Sequence, residues 1–160
     1  MMLTFLPNDR LLEGKLIYLP NDLSLDTINR QTQGATSILV NDINIELSEE
    51  GEVVAVWGLC PHSSWRKGSV PKPNSQSGRL RLDEDIIPGV SIRVTSLGEY
   101  WPVTFDSSSG WLHVGQETLA NDQAIEFVEG CIIILREGQI VGLWLHPDYQ
   151  RGKVQFVGRQ

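Results

Sequence analysis

Residues 40–61 read VNDINIELSEEGEVVAVWGLCP and residues 128–147 read VEGCIIILREGQIVGLWLHP; two one-residue gaps bring the second stretch into register with the first. Each passes from an apolar run through a two-residue turn, a second apolar run, a Gly-containing turn and a third run to a Trp and then a Pro. Asn41-Asp42 and Glu129-Gly130 are turn-forming pairs between apolar runs. The positive φ such residues tolerate suits the right-handed twist of paired strands, so both are read as hairpin turns. Gly51 and Gly138 then close the next turns. The repeat predicts one unit twice, a three-stranded antiparallel meander over residues 37–40, 43–47 and 52–59, and again over 125–128, 131–135 and 139–145. Self-similarity of this kind speaks to architecture before chemistry.

Outward from the repeat, residues 15–19, 90–95, 103–105 and 111–114 are short and rich in β-branched or aromatic side chains, and 106–110 form a hairpin loop between the last two. Residues 23–31 read as a two-turn helix capped by Ser24, with Leu25 and Ile28 three apart. FLPND at 5–9 and YLPND at 18–22 mark two similar turns. The expected fold class is mainly β: two related antiparallel three-stranded meanders packed as a pseudo-symmetric sandwich or barrel-like domain, with at most one or two short helices.

Charge divides the chain where the repeat does. Residues 1–65 hold nine acids and three bases, residues 82–160 eleven acids and five bases, and residues 66–81 five bases and no acid, within a net charge of -7. The strip RKGSVPKPNSQSGR, residues 66–79, carries two prolines, two glycines and three serines, a linker composition. A similar RGKV follows the second copy at 151–154. The organisation expected is a single compact domain over 1–160, with a first half at 1–65, a basic linker at 66–79 and a second half at 80–160. Each half is too small to bury its apolar face without the other.

Composition narrows the function classes. An acidic chain lacks the phosphate-neutralising charge that drives nucleic-acid affinity, so no nucleic-acid partner is expected. There is no run of eighteen apolar residues to cross a membrane and no basic, apolar, cleavable leader, which places the protein in the cytoplasm. Cys60 and Cys131 sit in apolar strands without C-x-x-C spacing and read as buried free thiols. The chain has no G-x-S-x-G, P-loop, H-E-x-x-H or G-x-G-x-x-G, and its acids are spread along strands and turns. No cofactor is expected.

Differences between the copies indicate where function lies. Ile43, Ile45 and Leu47 face the core in one copy, and Cys131, Ile133 and Leu135 in the other. The opposite face then carries Asn44 and Glu46 in the first but Ile132 and Ile134 in the second. An apolar outer face requires cover, by the N-terminal segment or the helix, or by a second copy of the chain, which makes Ile132 and Ile134 candidate interface residues. Trp57 and Trp144 match, each two residues after a small one (Ala55, Gly142), and are expected to pack together near the pseudo-symmetry axis.

Polar corners follow each Trp. Cys60, His62, His146 and Asp148 are the right ligand types for a transition metal, and Cys60 with His62 or His113 and a carboxylate would supply a nucleophile, base and orienter. Tyr100, Trp101 and Trp111 surround one hairpin and offer flat rings for stacking a ligand beside Arg93.

The stretches EEGEVVAVWGL, 49–59, and REGQIVGLWL, 136–145, resemble a hairpin of small bacterial domains of unknown function, in which an acidic Gly turn leads into a strand with a Val-Gly step; Ala55 departs from that step where Gly142 keeps it. The resemblance implies a compact β module and carries over no functional residue. The reading that results is a non-catalytic binding or assembly module whose partner is a protein, including a second copy of itself as a homodimer. The alternative is a small hydrolase or metal-dependent enzyme using Cys60, His62, His113 and His146.

Overall fold

In the computed structural model, which describes residues 1–151, both copies of the repeat fold as three-stranded antiparallel meanders. The strands before the first meander are β1 Leu3–Pro7, β2 Lys15–Leu19 and β3 Ser24–Ile28, and the meander itself is β4 Thr36–Val40, β5 Ile43–Leu47 and β6 Val53–Leu59. A 3-10 turn, His62–Ser64, leads to β7 Arg66–Lys67, β8 Gln76–Leu82 and β9 Ile92–Arg93. The second half adds β10 Val103–Phe105, β11 Leu112–Gly115, β12 Gln123–Val128, β13 Cys131–Arg136, β14 Gln139–Leu145 and β15 Asp148–Tyr149. Of the second basic motif only Arg151 is included; residues 152–154 lie outside the described residues.

Strand register agrees with the sequence alignment over the second and third strands of each meander, while the first pair differs by a bulge between Glu126 and Val128 that the first copy lacks. Asn44 pairs with Trp57 and Glu46 with Ala55, while Ile132 pairs with Trp144 and Ile134 with Gly142. Both meanders also break register at the same place, between Glu46 and Leu47 and between Ile134 and Leu135. A bulge bends and twists a strand locally, so the shared irregularity gives both meanders the same curvature.

The symmetry extends beyond the meanders. One sheet runs β15-β2-β3-β6-β5-β4-β9 and the other, read from the equivalent edge, β7-β10-β11-β14-β13-β12-β8-β1. Pairing is parallel at β15·β2 and β7·β10, antiparallel through the middle, and parallel again at β4·β9 and β12·β8. The strand that ends each half therefore crosses onto the sheet of the other half. Two sheets face each other and do not close into a barrel, a β-sandwich.

One continuous core fills the sandwich. Ile43, Ile45, Leu47, Val53 and Val56 of the first sheet share it with Ile125, Phe127, Cys131, Ile133, Leu135 and Leu143 of the second. Strands with an inward period of two supply these side chains from alternate positions, and burial of about 1.5–3 kcal/mol worth of transfer energy per large aliphatic drives the packing. Where β3 and β6 pair only over Ser24–Leu59 and Leu25–Gly58, the Thr27 hydroxyl takes over. It donates to Val56 O at 2.7 Å and accepts from Val56 N–H at 3.1 Å.

Two sequence expectations are corrected. Residues 23–31 hold strand β3, Ser24–Ile28, rather than a helix: Leu25 and Thr27 are buried with half-exposed neighbours, a period of two, and Leu23 and Asn29 bracket the strand at φ of 52° and 59°. The β-branched Thr27 and Ile28 fit that geometry better than a helical turn. The basic strip is also more than a linker, because residues 76–79 belong to β8, which pairs with β1 on one side and β12 on the other. No helix among the described residues is long and apolar enough to cross a membrane.

Candidate binding face

The outer faces of the two meanders are equivalent in backbone and opposite in treatment. On the second, Ile132, Ile134, Ala124, Val141 and Trp144 form a buried cluster of their own, with Val70 and Trp111 packed on it. Ile132 is 0% and Ile134 1% exposed within the single chain. The candidate interface residues are thus covered intramolecularly, and the cover is neither the N-terminal segment nor a helix: it is the Pro-rich strip itself. Residues 68–75 leave β7 at one edge of the sheet and re-enter as β8, next to the edge strand β1 on the far side, with Val70 packed on the cluster between, so they cross its outer face as a strap.

The strap is fastened at named points. Gly68 N–H donates to Phe105 O at 3.1 Å, and Val70 N–H donates to the Asp106 carboxylate at 3.1 Å. The Lys72 ammonium stands 5.5 Å from the centre of the Trp111 ring, a cation–π contact. Hydrogen bonds from Ser108 and Val70 hold the Asp106 carboxyl below its usual range. Beneath the strap, the Trp144 indole N–H donates to Thr118 Oγ1 at 3.3 Å.

On the first meander the same surface is open. Half of it is closed by the loop after β3: Glu46 is buried and ion-paired with Arg30, and a side chain at Gly34 would collide with the Glu46 carboxylate. The other half is a groove of about 490 Å³ lined by Leu19, Leu25, Trp57 and Leu59 and edged by Asp22, Asp26 and Asp42. Trp57 is 39% and Leu59 52% exposed, whereas Trp144 is 3% exposed. In register, Ser24 and Leu25 of this groove occupy the places of Trp111 and Leu112, where Lys72 docks on the other sheet. The groove is the strap's site without a strap. Gly58 lines it at φ of 128°, and a Cβ there would stand 2.4 Å from Asp42 O, so the turn edge and the groove floor lie against each other.

Trp57 and Trp144 therefore lie on the outer faces of two different sheets and do not pack on the axis. The small residue beside Trp144 does leave room for a bulky neighbour. That neighbour is His113, whose ring stacks on Trp144 at 4.4 Å and 22° over Gly142. Burial pushes the His113 imidazole below its usual range, and its Nε2 has no hydrogen-bond partner.

The other candidate residues do not converge. Cys60 is buried in the core, and burial raises its thiol to about 11, a poor nucleophile near neutral pH. His62 Nδ1 lies 3.2 Å from the Tyr18 hydroxyl, which donates to Cys60 O. Since His113 faces outward on the second sheet and Cys60 inward, the two share no site. The proposed metal ligands also divide. Cys60 lines a cleft of about 220 Å³, while His146 and Asp148 line its symmetry counterpart of about 620 Å³. There His146 packs against Trp111 at 4.9 Å with Nε2 3.0 Å from Ser109 O, and Asp148 pairs with Lys15 at 2.9 Å, which holds its carboxyl below the usual range. Among the described residues, no group of three or more His, Cys, Asp or Glu side chains is placed to hold one metal ion.

The stacking residues are separated in the same way. Tyr100 and Trp101 line the smaller cleft, Trp111 the larger. Asn41 fixes Trp101 by donating to its carbonyl at 3.0 Å and accepting from its N–H at 2.8 Å. Arg93 is turned to the Asn41 and Thr95 carbonyls, both at 3.3 Å. No family model and no curated protein matches the chain. The geometry alone carries the functional reading. Sequence reasoning missed the strap, although one signal was available: Val70 is the only non-proline apolar side chain in the strip, and Ile132 and Ile134 required cover.

Proposed function

We propose that the protein is a non-catalytic binding module that takes up an extended protein segment on the outer face of its first sheet. The observation that carries this reading is the exposure of Trp57 and Leu59 on a face whose counterpart is sealed by an extended segment of the chain. The filled site describes what the open one accepts: a strand-like peptide with a β-branched anchor and nearby bases. Asp22, Asp26 and Asp42 at the groove edge favour such a cationic segment and repel phosphate. A cytoplasmic setting fits the two free, buried thiols.

The test uses a peptide with the sequence of residues 66–75, RKGSVPKPNS, titrated into the protein while the indole N–H resonances are followed. Trp57 is assigned by its absence in Trp57→Phe. The expected result is a saturable shift of the Trp57 resonance that weakens with salt and is lost when Asp22 and Asp26 are changed together to Asn. Saturation that leaves Trp57 unmoved, or the absence of any binding at millimolar peptide, overturns the reading.

A further inference from the structure

We infer that the free edge of β9 is a second docking site, which takes up an extended protein segment as an added antiparallel strand, apolar on alternate residues and basic at its C-terminal end. The two sheets differ at this edge. One has eight strands and the other seven, and among the described residues nothing pairs with β9 on the side away from β4. On the eight-stranded sheet, β1 lies antiparallel along Gly78–Leu82 of β8 and seals the rim of the sandwich. Leu3 and Phe5 do this by packing on the core beside Leu80 and Leu82, both of which are buried. On the seven-stranded sheet the rim is open. Ile92 and Val94 reach the core but stay half-buried, and Val90, two residues back on the same face, is 53% exposed. Ile87 and Leu97 stand exposed to either side.

The backbone along this edge is ready for pairing. Val90 O accepts from the Thr36 hydroxyl at 2.6 Å and Val94 N–H donates to Leu39 O at 2.8 Å, so alternate residues turn their polar groups to β4. In a parallel ladder the residues between them turn theirs the other way. That leaves the N–H and C=O of Ser91 and Arg93 on the open side, and both residues are exposed. An edge of this kind is a template for strand addition. Charge selects the occupant. Residues 82–89 run from the turn at Ser48–Gly51 to the start of β9, held by Leu82 N–H on Gly51 O and Gly89 N–H on Ala35 O, each at 2.9 Å. They shape a cleft of about 690 Å³ lined by Glu49, Glu50, Asp83, Glu84 and Asp85, with Arg81 as the single base. An antiparallel strand brings its C-terminal end to this cleft, which favours basic residues there. A second copy is disfavoured, because antiparallel β9 edges would set each cleft against residues 95–99, TSLGE, which hold an acid and no base.

The inference does not depend on the Trp57 groove. The test titrates two capped peptides of one composition, TVTVTIKK and KKTVTVTI, into the full chain while backbone amide resonances and their hydrogen exchange are followed. TVTVTIKK is expected to shift the Ser91 and Arg93 amides saturably and to slow their exchange, and KKTVTVTI to bind about tenfold more weakly. Glu84→Lys/Asp85→Lys, a change of exposed side chains, is expected to weaken TVTVTIKK by a similar factor with the urea midpoint unchanged. Ser91→Pro removes an outward N–H that no strand uses and is expected to abolish binding. Equal affinity for the two peptides overturns the inference, as do Ser91 and Arg93 amides unmoved at millimolar peptide. So does slowed exchange at these amides alongside a dimer in light scattering before peptide is added, because a second copy then closes the edge. A response confined to Trp57 overturns this inference alone and leaves the groove reading standing. Shifts at Ser91 and Arg93, with RKGSVPKPNS failing to bind at Trp57, do the reverse.

Discussion

The outer faces of the two meanders are built on equivalent strands and differ at a handful of side chains. Where Ile132 and Ile134 stand, the sheet is apolar on both sides and a strap covers it; where Asn44 and Glu46 stand, half the face is closed by an ion pair and half is left as a groove. The second and third strands of both meanders keep the same register and the same bulge, so along them the contrast is mainly one of side chains. One face has become a second core and the other a surface.

The largest test of that contrast exchanges the residues. Ile134→Glu places a carboxylate under the strap with no Arg30 to meet it, at a cost of about 3–5 kcal/mol or more for a buried unpaired charge. That is a large share of the roughly 5–15 kcal/mol by which a domain is stable. The reciprocal Glu46→Ile leaves Arg30 without its partner, but this guanidinium is partly exposed and reaches water, so a loss of only about 1–2 kcal/mol is expected. Urea unfolding of both variants checks the asymmetry. Equal losses would mean that the two faces are not different environments.

A smaller effect follows from loosening the strap without touching the sheet. Val70→Asp removes the anchor and sets a second carboxylate near Asp106, which already accepts the Val70 N–H. A loss of about 1–3 kcal/mol is expected, the range of a half-buried aliphatic replaced by a poorly solvated charge. Trp144 emission should shift to longer wavelength as water reaches the cluster. Unchanged emission would show that the cover over Ile132 and Ile134 does not depend on Val70.

These residues also show which parts of the molecule the sequence discloses. The meanders are legible because turn chemistry and period-two alternation are local: Asn41, Gly51, Gly130 and Gly138 sit at positive φ as such turns require. β3 is not legible from its spacing, because Leu25 and Ile28 fit a helical stripe and a strand equally over five residues. Only pairing with β2 decides. The swapped strands β7 and β15 are two residues long, below what any pattern detects. The requirement for cover over Ile132 and Ile134 is readable from alternation, yet the identity of the cover is tertiary: Val70 in a Pro-rich strip shows no periodicity that points to a sheet 60 residues away. The groove is legible only as an absence, since Asn44 where Ile132 stands marks a face that need not be closed.

The smallest expected effect is the most telling for function. Trp57→Ala removes the largest side chain of the open face, and truncation of a buried Trp costs about 3–5 kcal/mol because a cavity and lost contacts remain. Trp57 is 39% exposed on an open groove, so the loss is expected to stay at ~1 kcal/mol, the scale of a surface change. The same substitution at Trp144 should cost several times more, since that ring lies under His113 and Thr118. If Trp57→Ala proves nearly neutral for folding while abolishing the response to RKGSVPKPNS, the ring is retained for what it binds. If it destabilises the chain as much as Trp144→Ala does, the ring is held by packing rather than kept for a partner, and the two faces are alike after all.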